Sequence, residues 1–425
     1  MQSAPNAGWA FSPLDEELQL LPGRLSPSLH ESLVRLSSWM PFAPAARMLA
    51  DFMHLPAIPE SLARRYTETA GAAYVQVQTE AVEQIERQAP LETEAPERLV
   101  LEADGAMVPL VGGSWAEAKT LILAKVGDPI LVHGEEQRPL CEISSFSRLC
   151  DNKQFERLSL VETQRRGLER AQQVAALADG AEWIQGLINY HRPDAVRILD
   201  FPHAAEYLTA LGTTVHGEQT DALKQWLVEP CHRLKHEGGQ ALLPDLHRWS
   251  ESQPQPESRA EALAYLDKRL AHMAYPNFRA QGWPIGSGAV ESANKLVVEA
   301  RLKGAGMHWA PAHVDPLLAL RNVVCSDRWD EAWAQMVQQL RSQAHQRRAK
   351  SLTAPQRIAV APAAMPTLPT ATPEPNAKLP APTSAASMTS PAERSNRPAP
   401  DHPWRTFSYG RAFYQSKRSP SKPKL

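Results

Sequence analysis

Cysteine is scarce in this chain, and the cysteines that it has are far apart. The 425 residues include only Cys141, Cys150, Cys231 and Cys325, with no C-x-x-C pair, which argues against a disulfide framework and a zinc finger. A long charge-free apolar run is also lacking, and the mean hydropathy is -0.38, so we expect no membrane-spanning segment. The first twenty residues lack a basic stretch followed by an apolar one, which predicts no signal peptide. Together these absences predict a cytoplasmic protein.

The net charge is small but unevenly distributed. Lys and Arg number 45 against 47 Asp and Glu, for a net charge of -2, and the length predicts about two or three folded units. From residue 351 to the end, however, ten Lys and Arg face three Asp and Glu, and fourteen prolines occur. Such a segment cannot bury enough apolar surface to offset the entropy of ordering it. We therefore predict a disordered, basic, Pro/Ala-rich tail over residues 346–425.

The end of this tail interleaves aromatic and basic side chains. The stretch HPWRTFSYGRAFYQSKR includes Trp404 and Arg405, and such alternation suits contact with nucleic-acid bases and phosphates. A purely solubilising tail is an equally good interpretation.

Residues 1–95 have the apolar spacing of helices. After the helix-breaking HLPAIP, a second helical pattern begins that has Arg64 and Arg65 near its start. Helix, short proline-containing turn and basic helix are compatible with a DNA-binding helix-turn-helix. An ordinary helical hairpin is the commoner arrangement, and the pattern alone favours it by about two to one.

From residue 96 to 215 the pattern changes to strands alternating with helices. RLVLEAD, MVPLV and AKTLILAKVG predict three antiparallel strands, the first ending at Asp104-Gly105. QVAALADG predicts a strand ending at Asp179, and AVRILD predicts one ending at Asp200. Residues 216–280 return to helical spacing. This alternation predicts an α/β protein with a mixed sheet and a helical insertion.

Two aspartates occur in the same setting, each at a predicted strand end and before a glycine. Asp104 and Asp179 would be held rigidly there, and carboxylate oxygens are the ligands that hard divalent ions prefer. The simpler reading of each Asp-Gly pair is a turn. In the last part of the core, 281–345, Glu291 lies in the first turn of a predicted helix, where the helix dipole favours its ionised form. A solvated Glu291 paired with Lys295 is the alternative.

Four segments resemble bacterial insertion-sequence transposases of the Kra type, relatives of the Mutator-like DDE transposases. They are DGAMVPL, ADGAEWI, LDFPHAAEYL and GWPIGSGAVESANKLVVEARLKGAGMHWA. The resemblance spans roughly residues 45–335, plus HPWR at 402–405. Asp104 and Asp179 are 75 residues apart, and Glu291 follows 112 residues later, in agreement with the wider group. Each motif alone is weak, and their combination is strong.

The resemblance implies a ribonuclease-H-like catalytic core with a DDE triad. Asp104, Asp179 and Glu291 would bind Mg²⁺ or Mn²⁺, two ions in all, for DNA cleavage and strand transfer. Asp200 and His203 match the Asp-x-x-His element of the group and would support the active site. Because Asp200 also ends a predicted strand, it is the rival of Asp179 for the second catalytic acid.

The implied partner is double-stranded DNA: the transposon's terminal inverted repeats and the target. Lys295, Arg301 and Lys303 would contact backbone phosphates, although a solvated basic face is an even alternative. A homo-oligomer on DNA, association with the nucleoid and no nucleotide cofactor follow from the reaction. A catalytically silent DNA-binding regulator with a transposase fold is the alternative function, and a ribonuclease-H-like nuclease or resolvase is another. The pathway, cut-and-paste or copy-out, stays open.

Overall fold

A computed structural model describes residues 20–21, 23–88, 95–132 and 135–353. Its N-terminal part is helical as predicted. Ser26 caps the first helix by accepting a hydrogen bond from the Leu29 N–H, and Pro27 follows at the first helical position, where its missing N–H costs nothing. The first three helices are α1 (Pro27–Trp39), α2 (Phe42–Phe52) and α3 (Glu60–Arg87).

The described chain also contains a five-stranded mixed sheet, in the order β5-β2-β1-β6-β7. In this sheet β1, β2 and β5 are antiparallel neighbours, whereas β6 and β7 continue the sheet parallel to β1. A short separate hairpin, β3–β4, lies between β2 and β5. The strands are β1 (Arg98–Pro109), β2 (Trp115–Val126), β3 (Ile130–Val132), β4 (Glu135–Gln137), β5 (Leu140–Arg148), β6 (Gln173–Ala178) and β7 (Val196–Leu199).

The predicted strand end at Asp104-Gly105 is wrong. The segment that was expected to form two strands is the single strand β1, and Asp104 pairs with Thr120 in its middle. The chain turns later, at Gly112 and Gly113, which both have a positive φ. Because glycine adopts such a φ without a steric cost, the Gly-Gly pair makes the turn, and Gly105 stays in the ladder.

The two faces of the sheet are covered by different cores. Odd-numbered β1 residues such as Leu101 pack against the helices after β5 and β6. On the opposite face, Val100 packs with the insertion helices, whereas Ala106 and Val108 pack with the N- and C-terminal helices. Side chains alternate along a strand, so Glu102 and Asp104 lie on the same face as Val100 and Ala106. They therefore lie between the core of the insertion helices and the core of the N- and C-terminal helices.

The predicted insertion, 216–280, is helical and packs over β6 and β7. The preceding helix α7 contacts the insertion helices and shares their apolar core. The helices before the insertion are α4 (Asn152–Leu158), α5 (Leu160–Arg165), α6 (Glu182–His191) and α7 (Phe201–His216). The insertion consists of α8 (Asp221–Glu237), α9 (Gly239–Ser252), α10 (Ala260–Lys268) and α11 (Tyr275–Ala280), with short 3₁₀ turns.

The N-terminal helices share one core with the C-terminal helices, so they are packed as part of the same unit. Helix α3 contacts both of the last two helices. The final helix continues past residue 346, where the tail was predicted to begin, to Thr353. In the described ranges, no helix has the length and apolar character needed to cross a membrane. The last helices are α12 (Gly288–Ala293), continued by a π turn, then α13 (Ala300–Leu302), α14 (Pro311–Cys325) and α15 (Trp329–Thr353).

A buried histidine makes the fold sensitive to acid. His191 bonds to the Ser159 hydroxyl at 2.8 Å, and burial lowers its pKa from 6.5 to about 4. Between these values the unfolded chain binds a proton that the folded chain does not, so stability falls as pH drops from about 6.5 to 4. The free energy of unfolding of the unchanged chain should fall between pH 7 and pH 5. In His191→Gln this fall should be smaller by about 2 kcal/mol.

Urea titrations at the two pH values measure this difference. The control is His232→Gln, since His232 is exposed, and its pH dependence should match that of the unchanged chain. An equal loss in all three proteins would contradict the assignment to His191.

Candidate functional site

Two acidic side chains of β1, Glu102 and Asp104, point to the same face of the sheet. Glu102 is fully buried; its Oε2 accepts a hydrogen bond of 2.8 Å from the Val290 N–H, while its Oε1 has no partner. The Asp104 carboxylate accepts from the Gly105 N–H at 2.7 Å and from the Asn294 side-chain amide at 2.8 Å. Both acids therefore attach β1 to the helix that bears Glu291.

Asp179 directly follows β6, the strand beside β1, as predicted. The parallel register pairs Glu102 with Leu177. Asp104 and Asp179 lie two residues beyond these partners, so they occupy neighbouring positions on the same side. The Asp179 Oδ1 accepts a hydrogen bond of 2.8 Å from the Ala181 N–H, which orients the carboxylate.

The acids at this edge of the sheet interact electrostatically. Burial raises the pKa of Asp104, and the negative charge of Asp179 raises it further. Burial also raises the pKa of Glu102 to about 7, with contributions from Asp200 and Glu291. Like charges that disfavour each other's ionised form are relieved by a divalent cation. The Asp104 and Asp179 oxygens therefore suit Mg²⁺ or Mn²⁺ in both charge and ligand chemistry.

Asp200 follows β7, as predicted, but both of its oxygens have structural partners. Oδ2 caps α7 by accepting from the His203 N–H at 3.0 Å, and Oδ1 accepts from the Ser287 N–H at 2.7 Å. The side chain is buried. Asp200 therefore joins α7 to the segment before the Glu291 helix. Because Asp200 is buried whereas Asp104 and Asp179 are only half-buried, its burial favours Asp179 as the candidate for the second acid.

Glu291 lies in the first turn of α12, as predicted, and is exposed. The helix packs against β1 and β2. A π turn over residues 294–299 shifts the helical period of the residues that follow. Ala300 is exposed. The buried residues before it are Val290, Asn294, Val297 and Val298.

The three predicted metal ligands, Asp104, Asp179 and Glu291, lie in the same region but do not surround a common position. Across the described ranges, which omit residues 1–19, 22, 89–94, 133–134 and 354–425, no three His, Cys, Asp or Glu side chains form a group that could hold a metal ion. No family model and no curated protein matches the chain. The assignment of Asp104, Asp179 and Glu291 therefore depends on the geometry and on the resemblance.

His203 lies in the first turn of α7. Its Nδ1 is 3.2 Å from the Glu206 carboxylate, and its ring packs edge-on against Tyr207 and Tyr265. The imidazole thus belongs to an aromatic cluster between α7 and the insertion. Its main-chain N–H donates a hydrogen bond to the Asp200 carboxylate, which caps α7, so the two ends of the predicted Asp-x-x-His element are bonded to each other.

The predicted DNA-contacting residues are placed differently from one another. Arg64 and Arg65 are exposed on α3 and line a cleft of about 1400 Å³. Lys295 is exposed one turn after Glu291, and Lys303 bonds to Glu299 at 2.6 Å. Trp404 and Arg405 lie outside the described residues.

Arg301 does not have the placement that a phosphate contact requires. It is 1% exposed, its Nε donates to the Ser37 carbonyl at 3.0 Å, and its guanidinium lies over the rings of Phe42 and Trp309. The π turn before it directs it into the helical core. The predicted contact of Arg301 with a DNA phosphate is therefore not proposed again, because its guanidinium is buried among protein groups.

Sequence reasoning missed three residues of this site. Glu102 could have been found, because acids two apart in a strand share a face. Asn294, three residues after Glu291, could have been found from helical spacing. Tyr265, which donates to the Asp179 carbonyl, left no local signal, since 86 residues separate the two.

Proposed function

We propose that this chain is a DDE-type DNA transposase with a ribonuclease-H-like catalytic core. One observation carries the proposal: Asp104 lies on β1, Asp179 directly follows the neighbouring parallel strand β6, and the helix bearing Glu291 is bonded to Asp104 through Asn294. The strand order supports it, with three antiparallel strands followed by two parallel ones. The acids come from the first and fourth strands of that sheet and from a helix after the insertion, which agrees with the implied DDE layout.

Asp104 and Asp179 would hold Mg²⁺ or Mn²⁺ through their carboxylate oxygens, and Glu291 would join them from α12. Bound divalent ions supply an activated water and neutralise charge on the phosphodiester. The chain itself contributes orientation. The Asn294 amide and the Gly105 N–H hold the Asp104 carboxylate, and the Ala181 N–H holds that of Asp179. Held carboxylates lose little freedom on binding, which suits catalysis by positioning.

Double-stranded DNA is the proposed substrate, as transposon ends and as target. Lys295 is exposed on the helix of Glu291, where its ammonium can contact a backbone phosphate near the cleaved bond. Arg64 and Arg65 line the cleft on α3 and offer a second basic surface. Two DNA ends must meet in the reaction, so we propose a homo-oligomer on DNA.

Cleavage of a duplex that carries the DNA ends flanking the gene tests the proposal. We expect the intact chain to nick these ends with Mg²⁺ and not with EDTA. Glu291→Gln should lower the rate by roughly a hundredfold or more while end binding persists. The matched control is Glu299→Gln on the same helix, whose carboxylate pairs with Lys303 and should matter by no more than about twofold.

The alternatives give different results in the same assay. Specific end binding without cleavage by the intact chain would favour a catalytically silent DNA-binding regulator. Cleavage of any duplex with no joining of the cut end to target DNA would favour a ribonuclease-H-like nuclease.

A further inference from the structure

The helical insertion holds the main chain at Asp179 through hydrogen bonds. The last hydrogen bond from β7 to this segment runs from the Asp200 N–H to the Ala178 carbonyl, at 2.9 Å. Beyond it, the Tyr265 hydroxyl donates to the Asp179 carbonyl, and the Arg269 guanidinium donates to the Gly180 carbonyl at 2.8 Å. Beyond the end of the β-sheet ladder, the main chain is therefore hydrogen-bonded by Tyr265 of α10 and by Arg269, which directly follows this helix.

Gly180 is shaped for this contact. Its φ is +87°, a value that favours glycine. A Cβ at this position would also lie 2.8 Å from the Tyr265 hydroxyl and 3.0 Å from the Arg269 Cδ. A larger residue would therefore have to displace the Arg269 and Tyr265 side chains from these contacts.

The two gripping side chains are themselves held. The Tyr265 ring is stacked on Tyr207 of α7, with centroids 3.7 Å apart and planes 6° apart. The Arg269 guanidinium lies 3.6 Å from the centroid of the Tyr265 ring. It also donates a hydrogen bond to the Tyr265 carbonyl at 3.2 Å. Because stacked side chains lose little further freedom, they can hold a main-chain segment in one place.

We propose that Tyr265 and Arg269 are positioning residues that set the Asp179 carboxylate for metal binding. The inference rests on the proposed function, because it takes Asp179 as the second metal-binding acid. Main-chain carbonyls on both sides of the Asp179–Gly180 bond are held from the insertion, while the carboxylate is oriented by the Ala181 N–H. Docking of the insertion and assembly of the metal site are then one event.

Tyr265→Phe tests this proposal in the full chain, since it removes only the hydroxyl and keeps the ring stack. Mutation of residues that hold metal ligands in place typically weakens metal binding by 10- to 100-fold. We expect the Mn²⁺ dissociation constant, measured by electron paramagnetic resonance without DNA, to rise about tenfold. The Mg²⁺ concentration for half-maximal cleavage should rise equally, with the rate at saturating Mg²⁺ within about twofold.

Tyr275→Phe is the matched control. The Tyr275 hydroxyl donates to the Leu199 carbonyl at 3.0 Å, so it makes the same type of bond at the end of the neighbouring strand, before Asp200. Tyr275 is fully buried, and its hydroxyl therefore matters at least as much for stability. We expect Tyr275→Phe to lower the melting temperature and to leave Mn²⁺ affinity unchanged.

The outcomes separate the inference from the proposed function. Unchanged Mn²⁺ affinity in Tyr265→Phe, when the intact chain binds Mn²⁺ and cleaves DNA, overturns the positioning role and leaves the transposase proposal standing. An equal loss of affinity in Tyr275→Phe also overturns it, because the effect would then not be specific to Asp179. An intact chain that neither binds Mn²⁺ nor cleaves DNA counts against the proposed function itself.

Discussion

Asp179→Asn is expected to lower Mg²⁺-dependent cleavage of transposon ends by roughly a thousandfold or more. The amide keeps an oxygen that can accept from the Ala181 N–H, as the carboxylate does now, so the local fold should persist. What it loses is the negative charge that raises the pKa of Asp104 and that would bind a divalent cation. Cleavage rates at fixed DNA, with end binding measured in parallel, check this result.

Asp200→Asn is the companion variant, and its expected phenotype is the reverse. Asp200 accepts hydrogen bonds with both oxygens, from the His203 and Ser287 N–H groups. An asparagine has one acceptor oxygen, so one buried N–H loses its partner, at a cost of about 1–3 kcal/mol. We expect a lower urea midpoint, with cleavage by the folded protein within a few fold of the unchanged chain.

The pair of variants decides between the two rivals for the second acid. If Asp200→Asn abolishes cleavage while folding normally, and Asp179→Asn stays active, then Asp200 is the catalytic acid and Asp179 only makes a turn. Full activity in both variants would remove the DDE mechanism, because neither carboxylate would then be needed.

Local sequence patterns predicted the elements that depend on nearby residues. The apolar runs of β2 and β6 and the helical spacing of the insertion were read correctly, because alternation and turn residues are local signals. The Asp104-Gly105 break was not, since two Asp-Gly pairs look alike in sequence and adopt different conformations. Gly180 has a positive φ, and Gly105 stays in the ladder because Gly112 and Gly113 make the turn.

The candidate site was only partly predictable for the same reason. Asp179 and Glu291 lie in the local settings predicted for them, whereas Asp104 lies inside β1 and not at its end. The hydrogen bond of the buried Glu102 to Val290 and that of Tyr265 to the Asp179 carbonyl both involve helices that are distant in the sequence. The π turn after Asn294 also breaks the regular helical period, so the direction of Arg301 could not be read from spacing.

Gly71→Ala is expected to destabilise the whole unit by about 3 kcal/mol or more. Gly71 lies in the middle of α3, where that helix crosses α14. A Cβ there would overlap the Pro316 carbonyl oxygen and lie 2.7 Å from the carbonyl carbon. Main-chain atoms cannot rotate away as a side chain can, so the helices must separate. The affected core contains both the N- and the C-terminal helices.

Urea unfolding followed by circular dichroism measures the effect, with Gly288→Ala as the control. Gly288 begins α12, and a Cβ there meets nothing within 4 Å, so alanine should change stability by no more than about 1 kcal/mol, in the stabilising direction. If Gly71→Ala loosened only the N-terminal helices and left a cooperative transition for the rest, those helices would be a separate unit. A single transition at a lower urea midpoint is the result that a shared core requires, because α3 cannot leave α14 without exposing the apolar residues that both helices bury.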